Sequence, residues 1–254
     1  MAEPRIYSQN WINSETVITP THGGIVQYLY DTNPSTQWVT TGANSDAIYS
    51  EIVFEFYSAG VLASRTIDTI FIKNTNISQI NVYRWNGSSW VNVWSNYSGV
   101  SPQYASVSSF SSTKVRVTLG STVAANNDEK RVGEIVFCNL TLAADDMASY
   151  DTKWREKTKE IVLGDGSIHR VVTRAVSGRI GRYEARCRWS YLSKATRDNM
   201  KAIKEAGQPF LWQPESVTVP EEVYYVHWTN TWDDKYMSNF KGAGYEVVMD
   251  LKEV

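Results

Sequence analysis

The sequence YEARCRWSYL at residues 183–192 runs directly into SKATRDNMKAIKEAG at residues 193–207. From 183 to 191 the odd positions are apolar or aromatic and the even positions are polar, which is the period-two pattern of a half-buried β-strand. Ser193 then offers a hydroxyl that can cap a helix, and Gly207 with Pro209 behind it can end one. The sequence therefore predicts a strand followed at once by a helix at about 193–206, the only strong helix signal in the chain.

Composition and charge indicate a two-domain globular protein and argue against a nucleic-acid-binding or membrane protein. The chain has 254 residues, 42% of them hydrophobic, which suffices for two domains that each bury a core. A formal net charge of −2 argues against an overall nucleic-acid-binding or anionic-membrane surface. No apolar run approaches the roughly 18 residues of a membrane span, and no hydrophobic signal-peptide core follows Met1. We therefore expect a protein that is made and retained in the cytosol, with no membrane partner.

The distribution of charge divides the chain near residue 144. Residues 1–144 contain 8 Lys and Arg and 10 Asp and Glu, whereas residues 145–254 contain 17 of each. The first part is instead rich in Ser, Thr and Asn. Because exposed polar links with few crossing contacts separate domains, the sequence predicts one domain at 1–144 and a second at 145–254.

The first domain consists of short strand-like segments separated by turn residues. These segments cover residues 51–57, 66–73, 79–85, 89–94, 114–119 and 133–142. Asn86-Gly87 is the strongest hairpin signal, because both residues tolerate positive φ angles. Several short strands separated by turns predict an antiparallel jelly-roll β-sandwich.

The second domain adds more strands around the helix. The predicted strands cover residues 152–163, 168–176, 183–191, 210–212, 222–228, 231–237 and 245–251. Gly164-Asp165-Gly166-Ser167 is predicted as a hairpin turn, because it lacks the Lys-Ser/Thr ending and the following helix of a phosphate-binding loop. The expected fold class is mainly β: an N-terminal sandwich and a C-terminal β-rich domain with one α-helix.

Several segments of the first domain carry a family resemblance. They are Asp31-x-Asn33-x-x-Thr36-x-Trp38, EIVFEF at 51–56, IDTIFI at 67–72, INVY at 80–83 with Trp90, KVRVT at 114–118 and EIV at 134–136. In order and spacing, residues 24–142 resemble the discoidin, or galactose-binding-like, domain. The resemblance implies a structural calcium ion held by oxygen ligands, and the matching positions are Asp31, Asn33, Thr36 and Glu134.

Other interpretations of these residues remain open. Asp31 and Asn33 also fit a turn cap beside Pro34. Trp38 and Trp90 fit core positions as well as sugar-stacking platforms. The binding loops of the family vary too much for its sugar contacts to be carried over to this chain. Residues 61–65 and 97–110 read as insertions relative to the family, so a sandwich that has lost the ligand is also an open alternative.

Arginines are concentrated just before the helix. They are Arg170, Arg174, Arg179, Arg182, Arg186 and Arg188. One interpretation is that these arginines pair with carboxylates, either of a neighbouring subunit or of this chain at positions 221, 222, 233 and 234. A second is that they form a plain solvated face. The third alternative is a nucleic-acid surface, which the neutral balance of the second domain argues against.

Residues 150–254 resemble the hub domain of distal-tail and minor tail proteins of long-tailed bacteriophages. The resemblance lies in the order of elements: a hairpin, a helix packed on a sheet and a closing strand. It implies a homo-oligomeric ring, typically a hexamer, at the tail tip or baseplate of a virion assembled in the bacterial cytoplasm. Other tail proteins and a host-surface glycan are the further partners that it implies. We predict that the subunit interface includes Tyr183, Arg186, Arg188, Trp189, Trp228 and Trp232.

Catalytic residues are not evident. The three histidines, His22, His169 and His227, are scattered, and neither Cys138 nor Cys187 is close to one in sequence. We interpret both cysteines as small buried hydrophobic residues and predict that the protein is not an enzyme. The alternatives to a tail protein are a soluble carbohydrate-binding lectin or adhesin module and an accessory module of an enzyme.

Overall fold

The computed structural model describes most of the chain. The described residues are 4–33, 35–41, 48–97, 103–123, 129–143, 147–155, 157–162, 168–173, 182–220, 222–239 and 242–254. The predicted boundary at 144–145, the turn at 164–167, and Arg174 and Arg179 lie outside these residues, as do the side chains of Arg170 and Arg182. Within the described ranges, no helix is long and apolar enough to cross a bilayer.

The described elements are almost all strands. In chain order they are β1 (Arg5–Tyr7), β2 (Val17–Pro20), a 3-10 helix (Val26–Leu29), β3 (Trp38–Val39), β4 (Ser50–Glu55), β5 (Tyr57–Ser58), β6 (Val61–Leu62), β7 (Arg65–Thr75), β8 (Ile80–Trp85), β9 (Trp90–Asn96), β10 (Gln103–Ser112), β11 (Lys114–Leu119), β12 (Arg131–Cys138), β13 (Leu140–Ala143), β14 (Met147–Arg155), β15 (Lys157–Val162), β16 (Ile168–Thr173), β17 (Arg182–Leu192), α1 (Lys194–Ala206), β18 (Phe210–Gln213), β19 (Tyr224–Trp228), β20 (Asp234–Asn239) and β21 (Gly242–Glu253).

The chain folds into two compact units. The sandwich unit is Ser8–Leu140, and the C-terminal unit combines Met1–Tyr7 with Thr141–Val254. The predicted first domain, 1–144, differs from this division because β1 pairs with β18, with Ile6 opposite Trp212. A strand of three residues has no pattern that identifies a partner more than 200 residues away. The prediction therefore assigned β1 to the same domain as the residues that follow it in the chain.

The sandwich unit consists of two antiparallel sheets. Their strand orders are β10-β7-β12-β3 and β2-β4-β11-β8-β9, with β5 and β6 as a separate small pair. Side chains alternate along β4 as the sequence predicts. Ile52 and Phe54 are buried, whereas Glu51 and Val53, which precede them, are only partly buried. The Phe54 ring packs against the ring of Phe137, which belongs to the other sheet. The two rings are nearly perpendicular, with centroids 5.3 Å apart. The predicted β-sandwich is confirmed.

One segment interpreted as an insertion belongs to the sheet. Within residues 97–110, the part from Gln103 onward forms β10, which pairs with β7 and carries a bulge between Ser106 and Phe110. The bulge interrupts the period-two pattern, which is why the sequence did not show a strand there. The other predicted insertion, 61–65, overlaps the short pair of β5 and β6.

The C-terminal unit is organised around one large sheet. Its order is β13-β1-β18-β19-β21-β17-β14, and β20 also pairs with β21. The odd positions of β17 from 183 to 189 are buried, as predicted. Ser193 accepts a hydrogen bond from the Thr196 N–H at 3.1 Å, and Gly207 ends α1 at a φ of 64°. Strand, cap and helix are therefore confirmed, and with them the predicted mainly β class with one helix.

Both cysteines are buried free thiols. Burial raises the pKa of the Cys138 thiol well above its ordinary value, with a further contribution from nearby Asp68. Burial likewise raises the pKa of Cys187, which lies in the core of the C-terminal unit. The thiols stay protonated, so their interpretation as small hydrophobic residues is confirmed.

Candidate functional site

Three of the four residues predicted to bind calcium come together in one loop. The Thr36 hydroxyl lies 2.8 Å from Asp31 Oδ2, and the Asn33 N–H donates to Asp31 Oδ1 at 3.0 Å. The Asp31 carboxylate thus accepts hydrogen bonds from its own loop, as the turn-cap alternative predicts.

The fourth predicted calcium ligand has a different partner. Glu134 on β12 lies opposite Lys73 on β7, and Lys73 Nζ is 3.1 Å from Glu134 Oε2. An ammonium group at this distance repels a divalent cation. Across the described residues, no three His, Cys, Asp or Glu side chains are grouped in a way that could hold a metal. The predicted set, as arranged, does not fit a calcium ion.

Three of the residues predicted at a subunit interface are core residues. Tyr183, Trp189 and Trp228 are only 2%, 0% and 7% exposed. Tyr183 stacks on Tyr224 with ring centroids 3.9 Å apart, and Trp189 meets Trp212 edge to face. Because these rings are covered by their own chain, they cannot contact a neighbouring subunit, and the prediction is corrected for them.

The other three predicted interface residues remain at the surface. Arg188 Nη2 lies 2.6 Å from Glu246 Oε2, and Arg186 Nε lies 3.6 Å from Asp250 Oδ1. Both carboxylates belong to β21 of the same chain, rather than to the positions 221, 222, 233 and 234 predicted from the sequence. Trp232 is half-buried and donates its indole N–H to Asp234 at 2.9 Å. A role for these residues in assembly stays a prediction.

The sandwich unit has a well-organised end formed by loops. At this end, which we call the loop end, β4, β8 and β12 begin and β7 and β11 finish. The Ser78 N–H donates to the Ser121 carbonyl at 2.8 Å, and the Val123 N–H donates to the Asn76 carbonyl at 2.7 Å. These bonds fix the loop before β8 against the loop after β11, so side chains placed there are held on a rigid support.

Tyr49 presents an aromatic ring at the loop end. Its side chain is 49% exposed, and its hydroxyl donates to Gln79 Oε1 at 3.2 Å. Gly120 lies beneath the ring: a β-carbon there would be 2.9 Å from Tyr49 Cε1 and 2.8 Å from Gln79 Oε1. A side chain at position 120 would therefore push the Tyr49 ring and the Gln79 amide out of their positions.

Other polar and apolar groups lie at the loop end. His22 Nδ1 lies 3.1 Å from the hydroxyl of Ser50, the residue that follows Tyr49. Because Ser50 is completely buried, its hydroxyl cannot serve as a nucleophile for a substrate. Ile48 and Val123 expose apolar surface at the same end. The loop end therefore combines an exposed ring, an amide and an imidazole, which suits binding of a small polar molecule.

A second set of aromatic residues lies on the outer face of the five-stranded sheet. Because Ile80 and Val82 of β8 and Val115 and Val117 of β11 point into the core, the residues between them point outward. We define the outer face as Asn81, Tyr83, Trp85, Trp90, Tyr97 and Arg116. The Arg116 guanidinium carbon lies 4.7 Å from the centroid of the Tyr83 ring and 4.9 Å from that of the Trp90 ring.

The two tryptophans singled out from the sequence have different environments. Trp38 is completely buried and packs against Gly24, where a β-carbon would lie 2.5 Å from its Nε1. Trp90 instead lies half-buried on the outer face, 5.3 Å from Trp85 between ring centroids. The core interpretation is confirmed for Trp38 and is wrong for Trp90.

The remaining residues of the loop end were not predicted. Tyr49, Gln79 and Gly120 lie at or beyond strand ends that pair across the sheet, as Leu119 does with both Ser50 and Ile80. Their proximity depends on the register of three strands, which no local pattern encodes. The one available signal was a glycine directly after a predicted strand, which can mark a close approach of another group.

Comparison with known proteins gives only partial likenesses. No protein-family model and no curated protein matches the chain. A family 32 carbohydrate-binding module of Clostridium perfringens NanJ, solved with galactose, is 17% identical and has a TM-score of 0.40 over 54% of this chain and 99% of its own. A Clostridium perfringens module solved with GalNAc-β-1,3-galactose is 17% identical, with a TM-score of 0.40 over 48% of this chain and 94% of its own.

A third structure has similar values. Chitosan-binding module 1 from a Paenibacillus sp. IK-5 chitosanase/glucanase is 15% identical, with a TM-score of 0.43 over 52% of this chain and 99% of its own. At these identities and TM-scores the likenesses do not establish a family for this chain.

Proposed function

We propose that the sandwich unit is a carbohydrate-binding module and that the loop end is its sugar site. The observation that carries this proposal is the Tyr49 ring, which is 49% exposed, supported by Gly120 and held by Gln79. The electron-rich face of an aromatic ring attracts the polarised C–H groups of a sugar. The Gln79 amide beside the ring supplies a hydrogen-bond partner for sugar hydroxyls, and the His22 imidazole lies at the same end of the sandwich, against Ser50.

Binding, rather than chemistry, fits the groups at this site. Opposed carboxylates, as glycoside hydrolysis requires, are not among the loop-end side chains that the structure describes. A ring with one amide and one imidazole offers a small contact area, so we expect weak binding, with a Kd on the order of 1 mM, equivalent to about −4 kcal/mol.

Replacing Tyr49 tests the sugar site. We expect the full-length protein to bind at least one of galactose, glucose, N-acetylglucosamine and N-acetylgalactosamine, and Tyr49→Ala to weaken that binding about ten-fold. Tyr49→Phe should keep most of the affinity, because the ring remains. The measurement is titration calorimetry or ligand-observed NMR.

The matched control is another exposed tyrosine. Tyr236 in the C-terminal unit is 61% exposed, and Tyr236→Ala should bind sugar as the unchanged protein does. The sugar site would be disproved by a Tyr49→Ala protein with an unchanged melting temperature and undiminished affinity, or by the absence of binding to all four sugars.

A second candidate function is assembly into a phage-type tail ring, and two observations favour it. The sandwich unit is inserted between β1 and β13 of the C-terminal unit, which has its own core. Such a layout suits a scaffold that assembles while carrying a binding module. Among the described strands, β14 lies at the edge of the large sheet beside β17, and an edge strand is where another chain can add by backbone pairing.

The size of the particle in solution tests the assembly role. If the C-terminal unit forms a closed ring, light scattering of the full-length protein gives a mass of about six chains that persists on dilution, because a closed ring satisfies every interface. A mass of one chain at high protein concentration would rule out self-assembly.

A further inference from the structure

A line of side chains connects the loop end to the outer face. Gln79 precedes β8, and Asn81, Tyr83 and Trp85 follow it at two-residue intervals along that strand. Residues spaced by two lie on the same face of a strand, so this line runs about 20 Å at about 3.3 Å per residue. Gln79 is the residue that holds the Tyr49 hydroxyl. The sugar site and the aromatic outer face are thus consecutive parts of one surface.

Aromatic rings are distributed along the whole line. Next to the loop end, Tyr97 is 64% exposed and donates its hydroxyl to Asn81 Oδ1 at 3.0 Å, so it lies over Asn81. Tyr83 is the next residue along the line, and the Trp85 and Trp90 pair completes it, with ring centroids 5.3 Å apart. Every position of the line, from Gln79 to Trp85, therefore either is an aromatic residue or has one beside it.

The rings are held in place before any ligand binds. Arg116 contacts both Tyr83 and Trp90, and its Nη1 lies 3.4 Å from Glu51 Oε1. Asn81 Nδ2 lies 3.4 Å from the Thr118 hydroxyl. A platform whose side chains are already immobile loses little conformational entropy on binding.

We propose that this surface is a track for an extended, neutral polysaccharide chain, with one sugar at Tyr49 and the following sugars over Tyr97, Tyr83 and the two tryptophans. The inference rests on the proposed function, and it extends the ligand from a single sugar to a chain. A row of rings along one strand suits a ligand whose repeating units each present C–H groups on one side and hydroxyls at their edges.

The charges of the face indicate a neutral ligand. Arg116 is paired with Glu51, and the Lys114 ammonium contacts the Glu55 carboxylate in the row beside it. Both cations of β11 are thus matched by a carboxylate of β4. A face with its charges internally matched has no net attraction for uronic acids or sulfated sugars.

A protein partner fits this face less well. A stable protein interface covers about 800 Å² on each side and has an apolar centre. Here Tyr83, Trp85 and Trp90 are half-buried, and their neighbours on the face are polar, such as Asn92 and Thr118. The apolar area on offer is small and linear, which suits a narrow chain rather than a broad surface.

Chain-length dependence tests the track. The probes are glucose and cellohexaose, N-acetylglucosamine and its β-1,4-linked hexamer, and galactose and its β-1,4-linked hexamer, titrated into the full-length protein. We expect one hexamer to bind about ten-fold or more tightly than its monomer. Tyr97→Ala and Trp90→Ala should each remove most of this gain and leave the monomer affinity unchanged, whereas Tyr49→Ala should weaken both.

The possible outcomes separate the track from the sugar site. Monomer binding without a gain for any hexamer overturns the track and leaves the sugar site intact. If Tyr97→Ala keeps its melting temperature and still binds the hexamer more tightly than the monomer by the same factor, the track is also overturned. Because Tyr97 is exposed, this variant decides the question even if Trp90→Ala fails to fold. Binding of no monomer and no hexamer overturns both proposals. Tyr236→Ala serves as the control and should match the unchanged protein.

Discussion

Replacing Ile6 with alanine is expected to destabilise the C-terminal unit by about 2–5 kcal/mol, the usual cost of truncating a buried aliphatic side chain. Ile6 is completely buried, although it lies near the start of the chain. It sits opposite Trp212 in the sheet and belongs to the same core cluster as Trp212. The adjacent Tyr7 donates its hydroxyl to Gln213 at 2.5 Å, so β1 is tied to β18 by side chains as well as by backbone.

Urea denaturation followed by hydrogen exchange would locate the loss. We expect amide protection to fall in β18, β19 and β21 and to persist in the strands of the sandwich unit. Val17→Ala is the control, because Val17 is 47% exposed on β2 and should cost less than about 0.5 kcal/mol. Deleting residues 1–7 should have a larger effect of the same kind. An Ile6→Ala protein that loses protection only in the sandwich unit would contradict the assignment of β1.

The elements predicted most accurately from the sequence are those that local chemistry determines. In β17 the alternation of Tyr183, Glu184 and Ala185 is visible within three residues. The cap of α1 depends on Ser193 and Thr196, which are neighbours in the chain. Such contacts are formed by residues a few positions apart, so a short window of sequence contains all the information that they need.

The features missed by the sequence depend on distant pairing. The place of β1 requires β18, and the loop end requires the registers of β4, β8 and β11 together. Trp90 faces outward because it pairs with Trp85, and the bulge of β9 opposite Val82 and Tyr83 separates Trp90 and Asn92 from the residues that follow them, whose alternation it shifts. A one-residue change of register moves a side chain to the opposite face, and alternation alone cannot show where it occurs.

The prediction for Tyr183 and Trp189 failed for a related reason. Alternation showed correctly that these residues share one face of β17. It could not show whether this face meets the core of the same chain or the surface of a neighbour, because both environments favour large aromatic residues. The structure provides the missing partners, Tyr224 for Tyr183 and Trp212 for Trp189, on strands that follow later in the chain.

Trp189→Ala is therefore expected to lower the free energy of unfolding of the C-terminal unit by about 3–5 kcal/mol, the cost of a large cavity in a core. Trp189 is completely buried in the core cluster of the C-terminal unit, where its ring meets Trp212 edge to face. An interface residue would behave differently, because its loss separates subunits while each chain stays folded. Urea unfolding together with light scattering distinguishes the two, and Arg188→Ala, with a half-exposed side chain, should cost less than about 1 kcal/mol. A Trp189→Ala chain as stable as the unchanged protein would show that this ring is not part of the core.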